Sequence, residues 1–231
     1  MESPVKMHRD MEHGRHACSV WNEQEKGLSV LAIHGFTGSG LDWGPVAMRL
    51  KRRVLAPDLM GHGGSPSPAD WESYRIQAVV DQCLTWCGAE REWVLVGYSM
   101  GGRVALRLAP KLGPRLRGVV LISASPGLES PVDRSERMAR DQALAGSIEE
   151  QGIEWFQDHW SSQPIIRSQE QIPKDIRIPM QARRQANRPV GLAGSLRGMG
   201  QGAVNPVWAD LKDISVPTLL ITGDQDVRYS D

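Results

Sequence analysis

The stretch Val94–Leu108, VLVGYSMGGRVALRL, constrains the fold more than any other part of the chain. It opens on an apolar alternation, passes through Gly97-Tyr98-Ser99-Met100-Gly101, and closes on a helical pattern with Met100, Val104 and Leu108 on one face. A G-x-S-x-G spacing between a strand and a helix predicts a sharp corner with Ser99 at its apex, where the flanking glycines allow close backbone approach. That corner lifts the hydroxyl above the end of a sheet. It also sets it at a helix N-terminus, where unpaired N–H groups favour developing negative charge. Ser is an ordinary N-cap residue too, so the motif alone admits a plain Gly-rich turn. The strand before and the helix after favour a reactive serine.

The chain before this corner supplies more of the same pattern. Leu28–Ile33 reads as an apolar strand running into His34-Gly35-Phe36-Thr37-Gly38-Ser39-Gly40. The loop lacks the Gly-Lys-Ser/Thr ending of a phosphate loop and the G-x-G-x-x-G spacing. A strand followed by His-Gly-aromatic suggests a loop that lends the Phe36 N–H to an oxyanion hole. His34 reads as structural. Arg53–Ala56, Trp93–Tyr98 and Leu116–Ser123 are further strands, Asp42–Leu50 a short helix and Trp71–Cys87 an amphipathic one. Asp58 and His62 sit in dense turn chemistry and read as turn residues, Asp58 satisfying backbone donors. Apolar strands with amphipathic crossovers predict an α/β fold: a mostly parallel sheet with helices on both faces, its ligand at the carboxyl ends of the strands.

From Leu128 to Trp208 no strand is convincing and helices are expected, as a cap inserted over the sheet. The division is a loose tail over 1–16, core over 17–127, helical cap over 128–208 and core again over 209–231. Between His159 and Val207 the acids are Glu170 and Asp175, against Arg167, Lys174, Arg177, Arg183, Arg184, Arg188 and Arg197. This surplus fits a solvated basic face, or guanidinium forks turned into a pocket to grip carboxylates. After the cap, Pro217–Thr222 is a strand leading to Gly223-Asp224-Gln225-Asp226. Asp226 suits the acid of a Ser-Asp-His triad, and a turn-stabilising Asp is the competing reading. A serine needs a neighbouring imidazole. His8, His13, His16, His34, His62 and His159 all precede Asp226. The expectation is a C-terminally truncated sequence, with the imidazole about 20–25 residues after Asp226 and a final strand and helix outside it.

Composition closes off other classes. With 27 basic and 27 acidic residues the net charge is zero, which gives no electrostatic case for nucleic acid or anionic membrane. No apolar run approaches membrane-spanning length. Three cysteines, Cys18, Cys83 and Cys87, form no framework, which argues for a reducing compartment and a cytoplasmic protein. Cys83 and Cys87 read as buried thiols on the apolar side of a helix.

Together these motifs resemble the α/β-hydrolase superfamily. More closely they resemble its menaquinone-pathway branch, the 2-succinyl-6-hydroxy-2,4-cyclohexadiene-1-carboxylate synthases. The resemblance rests on the loops at 34–39 and 58–63, the corner at 97–103, Ser123-Ala124-Ser125-Pro126-Gly127-Leu128 with Arg137, Arg140 and Asp141, and above all Gly191-Leu192-Ala193-Gly194-Ser195-Leu196-Arg197-Gly198-Met199-Gly200. It implies an elimination of pyruvate from a cyclohexene carrying an enolpyruvyl ether, a ring carboxylate and a succinyl arm. Ser99, with Asp226 and an imidazole, would remove the ring proton. The N–H groups of Phe36 and Met100 would hold the oxyanion. Arg103, Arg137 and Arg184 fall at the family's carboxylate-binding arginines, and Trp160 matches a pocket aromatic. No metal or organic cofactor is implied, and the partner is a small multi-carboxylate substrate. Arg137 is expected on the cap surface, where its loss weakens affinity far more than folding. A carboxylesterase or carbon–carbon bond hydrolase of the same fold, and a non-catalytic small-acid-binding protein, are the alternatives.

Overall fold

The computed structural model describes residues 3–89, 91–224 and 226. Its strands are β1 (Val5–Met11), β2 (Gly14–Trp21), β3 (Ser29–Ile33), β4 (Arg53–Pro57), β5 (Trp93–Tyr98), β6 (Leu116–Ile122) and β7 (Thr218–Ile221). Its helices are α1 (Gly44–Ala47), α2 (Ile76–Trp86), α3 (Met100–Leu112), α4 (Pro131–Ser161), α5 (Pro164–Arg167), α6 (Lys174–Gln185) and α7 (Pro189–Met199). The strands form one sheet in the order β1-β2-β4-β3-β5-β6-β7. The β4–β3, β3–β5, β5–β6 and β6–β7 pairings are parallel, while β1–β2 and β2–β4 are antiparallel.

Alternation along the central strands feeds two separate layers. Leu31, Ile33, Leu55 and Leu95 pack with Val79, Val80 and Cys83 of α2 and Val104 and Leu108 of α3. Val30, Ala32, Val54 and Ala56 turn the other way, onto Trp43 and Ala47. Both faces are therefore covered, which is why these strands read as continuous apolar runs rather than as polar–apolar alternation.

Two expectations are corrected. Residues 5–16 are not a loose tail: β1 and the start of β2 form a hairpin closed by positive φ at His13 and Gly14. The charges that suggested a tail belong to an edge strand. Its inward face is Met7 and Met11 on the core, with the Arg9 guanidinium over the Trp86 ring, and charged edges protect a sheet from foreign strands. The helix expected over Trp71–Cys87 breaks at Arg75, whose ψ of 139° is not helical. The preceding 3₁₀ turn carries Tyr74, fully buried, its hydroxyl donating to the Pro68 carbonyl at 2.8 Å.

Between β6 and β7 lie helices. α4 bends at Gly152 (φ +83°), and with α7 it buries an apolar cluster of its own: Ala145, Ile148, Phe156, Leu192, Ala193 and Leu196. The glycines of α7 are there for contact. A Cβ at Gly194 would sit 2.5 Å from the Tyr74 ring, and one at Gly198 would strike the Tyr74 carbonyl. The motif that marks the cap most specifically is thus a packing surface, and it seats α7 over the corner at Ser99. Residues 227–231, the close of the expected second core segment, lie outside the described residues.

Candidate active site

β5 and α3 meet at Ser99, which has φ 51° and ψ −110°. A non-glycine residue held there costs roughly 1–3 kcal/mol, which the surrounding structure must offset. It does so with backbone. The Ser99 N–H donates to the Ile122 carbonyl at 2.8 Å, and the Ser99 carbonyl accepts from Gly102 at 3.0 Å. Gly97 is required because a Cβ would stand 2.6 Å from the Gly101 carbonyl oxygen, and at Gly101 one would collide with the Ile33 carbonyl.

Above this corner lies a cavity of about 210 Å³ between the sheet and the cap. Phe36, Ser99, Met100, Arg103, Arg137, Trp160 and Arg184 all line it. Seven of the eight residues singled out from the sequence therefore meet in one space, drawn from the loop after β3, the corner, and helices α3, α4 and α6. Among the described residues, neither the Phe36 nor the Met100 backbone N–H donates to a protein acceptor. The eighth, Asp226, lies after β7. Its N–H closes a turn onto the Gly223 carbonyl at 3.0 Å, and it does not line the cavity.

The alpha/beta hydrolase family matches residues 30–231. A Bacillus subtilis (strain 168) protein, provisionally named 2-succinyl-6-hydroxy-2,4-cyclohexadiene-1-carboxylate synthase, is 36% identical over 204 residues, 87% of this chain and 74% of its own length. The synthase of that name from Serratia proteamaculans is 30% identical, over 87% of this chain and 78% of its own. The structure of MenH from S. aureus superposes with a TM-score of 0.84 at 28% identity, covering 95% of this chain and 84% of the other. This chain belongs to the alpha/beta hydrolase family.

Within this family member the polar side chains of the site are tied in distinct ways. Arg103 is buried and donates to the Met199 carbonyl at 2.9 Å. Arg137 lines the cavity, but it is not the cap-surface arginine of little consequence for folding that the sequence suggested. Its Nε donates to Asp141 Oδ1 at 2.8 Å and its Nη1 to Gln201 Oε1 at 3.0 Å, and Asp141 is only 6% exposed. Gln201 in turn donates to Ser125 Oγ at 3.2 Å, joining the end of α7 to the loop after β6. Arg184 donates to Gln169 Oε1 at 2.7 Å, and burial pushes its guanidinium below the usual arginine range. The cap's basic surplus is thereby sorted. Arg183 pairs with Asp42, Arg197 with Glu149, and Arg188 donates to the Ser65 carbonyl. Of the seven bases counted between His159 and Val207, only Arg184 lines this cavity.

His34 and His62 serve structure. His34 Nδ1 donates to the Gly35 carbonyl at 2.8 Å, and Nε2 accepts from the Leu59 N–H at 3.0 Å, so both nitrogens are committed to holding the Phe36 loop. His62 lies beside it, ring centroids 5.0 Å apart, with its Nδ1 on the Met60 carbonyl. Burial pushes both imidazoles down, His62 to about 3. Asp58 accepts from the N–H groups of Gly40 and Gly64, as a turn carboxylate does. His159 stacks on Trp155 on the cap. No described histidine lines the cavity.

Sequence reasoning missed Gln169 and Gln201 as lining residues and did not give Asp141 a role. Gln201 directly follows the Gly191–Gly200 motif, and Asp141 stands one helical turn after Arg137 with the opposite charge, a pairing signal that could have been read. Gln169 lies in a short 3₁₀ turn and carried no such signal.

Proposed function

We propose that this chain is a lyase that eliminates pyruvate from 2-succinyl-5-enolpyruvyl-6-hydroxy-3-cyclohexene-1-carboxylate, giving 2-succinyl-6-hydroxy-2,4-cyclohexadiene-1-carboxylate in menaquinone biosynthesis. The observation that carries the reading is the convergence of Arg103, Arg137 and Arg184, from three different helices, on one cavity with Ser99. Three guanidinium groups suit a substrate with several carboxylates; Arg184, held only by a neutral amide, would meet no anion in a neutral ester. The relatives named for this synthase support the same reading.

The chemistry follows from the substrate. A base takes the proton at ring C2, alpha to the succinyl ketone. The electron pair forms the C2–C3 double bond, the C3–C4 double bond moves to C4–C5, and the C5–O bond breaks. Enolpyruvate leaves and takes up a proton to become pyruvate. The balance needs no oxidant, metal or organic cofactor. Ser99 is the proton-abstracting group and Asp226 the acid of its triad, with an imidazole that no described residue supplies as the link between them; no acyl intermediate forms. Charge develops on the ketone oxygen, which the Phe36 and Met100 N–H groups receive; one such donor is worth roughly 3–4 kcal/mol in the transition state. Trp160 covers the ring. The protein acts in the cytoplasm, a placement supported by three free, buried cysteines. Among the described residues no helix is long and apolar enough to cross a membrane.

The test is pyruvate release from the enolpyruvyl substrate by the protein expressed from its whole coding sequence. Ser99→Ala is expected to cut kcat by about a thousandfold or more with the thermal midpoint unchanged. No release by the wild-type protein, or undiminished release by the variant, sinks the assignment.

A further inference from the structure

The reaction cavity does not end at Arg184. A second cavity of about 260 Å³ lies behind the wall made by Phe36 and Tyr98, against Trp43 and Val46. A third, about 190 Å³, lies behind Trp160 and Ile166, toward Gln157 and Arg177. All three share two residues, Gln169 and Arg184, and the second and third also share the pliable side chain of Met180. The hydrogen bond from Arg184 to Gln169 therefore stands at a three-way junction.

We propose that Gln169 is a positioning residue that keeps Arg184 available to a carboxylate-bearing arm of the substrate, the two side chains forming the partition through which that arm gains room beyond the reaction cavity. The inference rests on the lyase reading for the identity of the arm, and the chemistry of the pair carries the rest. Arg137, Arg183 and Arg197 each sit against a carboxylate: Asp141 at 2.8 Å, Asp42 at 2.5 Å and Glu149 at 2.6 Å. Their charge is already answered. Arg184, among the described residues, is held by a neutral amide and has no carboxylate within ion-pair distance; Asp42, which acts on it from farther off, is paired with Arg183. An amide oxygen fixes the direction of a guanidinium without cancelling its charge, so the remaining donors and the full positive charge stay available for an incoming anion. Arg184 Nε supports this: it is buried and has no hydrogen-bond partner among the described residues. A glutamate at 169 would occupy the fork permanently.

A plain structural tie, in which Gln169 only anchors its 3₁₀ turn to α6, makes a different forecast, and two substitutions separate the two. Gln169→Glu is expected to raise KM about tenfold, the worth of one hydrogen bond to a charged group. Its kcat should stay within about threefold, and its thermal midpoint should hold or rise through the new ion pair. Gln169→Ala, which frees the guanidinium without neutralising it, should raise KM less than Gln169→Glu does. In parallel, succinate serves as a dicarboxylate probe of the arm in calorimetric titrations. It should bind the wild-type and Gln169→Ala chains and lose about tenfold in affinity in Gln169→Glu. Equal KM and equal succinate affinity in Gln169→Glu overturn the proposal, as does a fall in kcat at constant KM, or no succinate binding by the wild-type chain. If the wild-type chain releases no pyruvate the lyase reading falls, and the succinate titrations still decide the role of Gln169.

Discussion

At the floor of the cavity Ser99, Phe36 and Met100 are placed by backbone. The corner at Ser99 is closed by main-chain hydrogen bonds and glycine contacts, and the Phe36 loop hangs on the two nitrogens of His34. At the roof, Arg137 and Arg184 are placed by side chains: Asp141, Gln201 and Gln169. Groups that meet the reacting atoms gain from rigid, pre-aimed donors. Groups that meet the substrate's charges must carry charge themselves, and a buried charge needs partners. Floor and roof should therefore fail in different ways, the roof through ion pairs and the floor through the protonation of buried imidazoles.

The largest effect is expected at the roof. Arg137→Ala leaves Asp141 buried with no cation, and removing one partner of a buried pair costs roughly 3–5 kcal/mol. The sequence alone suggested that this substitution would spare stability; the 6% exposure of Asp141 reverses that. Urea unfolding should show a loss near 3 kcal/mol along with weaker substrate affinity. Arg137→Ala combined with Asp141→Asn should recover most of the stability and none of the affinity. A single variant as stable as the wild type would break the contrast between roof and floor.

The floor should answer to pH. An unfolded histidine takes its proton near 6.5, whereas burial lowers His34 and holds His62 down to about 3. Between those values the unfolded chain binds more protons than the fold, so stability rises with pH there. It is complete above pH 6.5 and declines as the pH falls toward 3. The contribution of His62 approaches a slope of about 1.4 kcal/mol per pH unit, and His34 adds to it in the same direction. Protonation is costly in structural terms too, because Nε2 of His34 would then present a proton to the Leu59 N–H. Denaturant titrations at pH 7, 6 and 5 measure the slope. A flat profile would show that these imidazoles do not hold the floor as neutral acceptors.

Why the floor was legible in the sequence and the roof only partly so follows from the same contrast. A backbone corner with positive φ and close contacts admits few residues, so Gly97 and Gly101 are written into the chain as a spacing. The α7 glycines are legible for the same reason, since Tyr74 leaves no room for a Cβ. The arginines were legible as a surplus of charge, but charge does not say which guanidinium already has a carboxylate. Asp42 is distant in sequence from Arg183, and so is Glu149 from Arg197. Gln169 and Gln201 are neutral and lie in irregular segments, where no period exposes them. β1 was lost because an edge strand with charges on its outer face has the composition of a tail. Only the burial of Met7 and Met11 tells the two apart.

The smallest effect sharpens the sorting of the roof. Arg197 donates to both carboxylate oxygens of Glu149, at 2.6 and 2.7 Å, and ties α7 to α4. It lines an outer groove with Trp71 and Met138 and does not line the cavity above Ser99. With Glu149 partly open to solvent, Arg197→Ala should cost no more than about 1 kcal/mol of stability and leave kcat and KM unchanged. The comparison is with Arg184→Ala, one positive charge lost in either case. If position decides, KM rises only where the guanidinium reaches the cavity. If Arg197→Ala raises KM as well, and added salt abolishes the rise, then the cap draws its anionic substrate through the summed field of its basic residues. In that event the pairing of each arginine with its own carboxylate would say little about which of them the substrate meets.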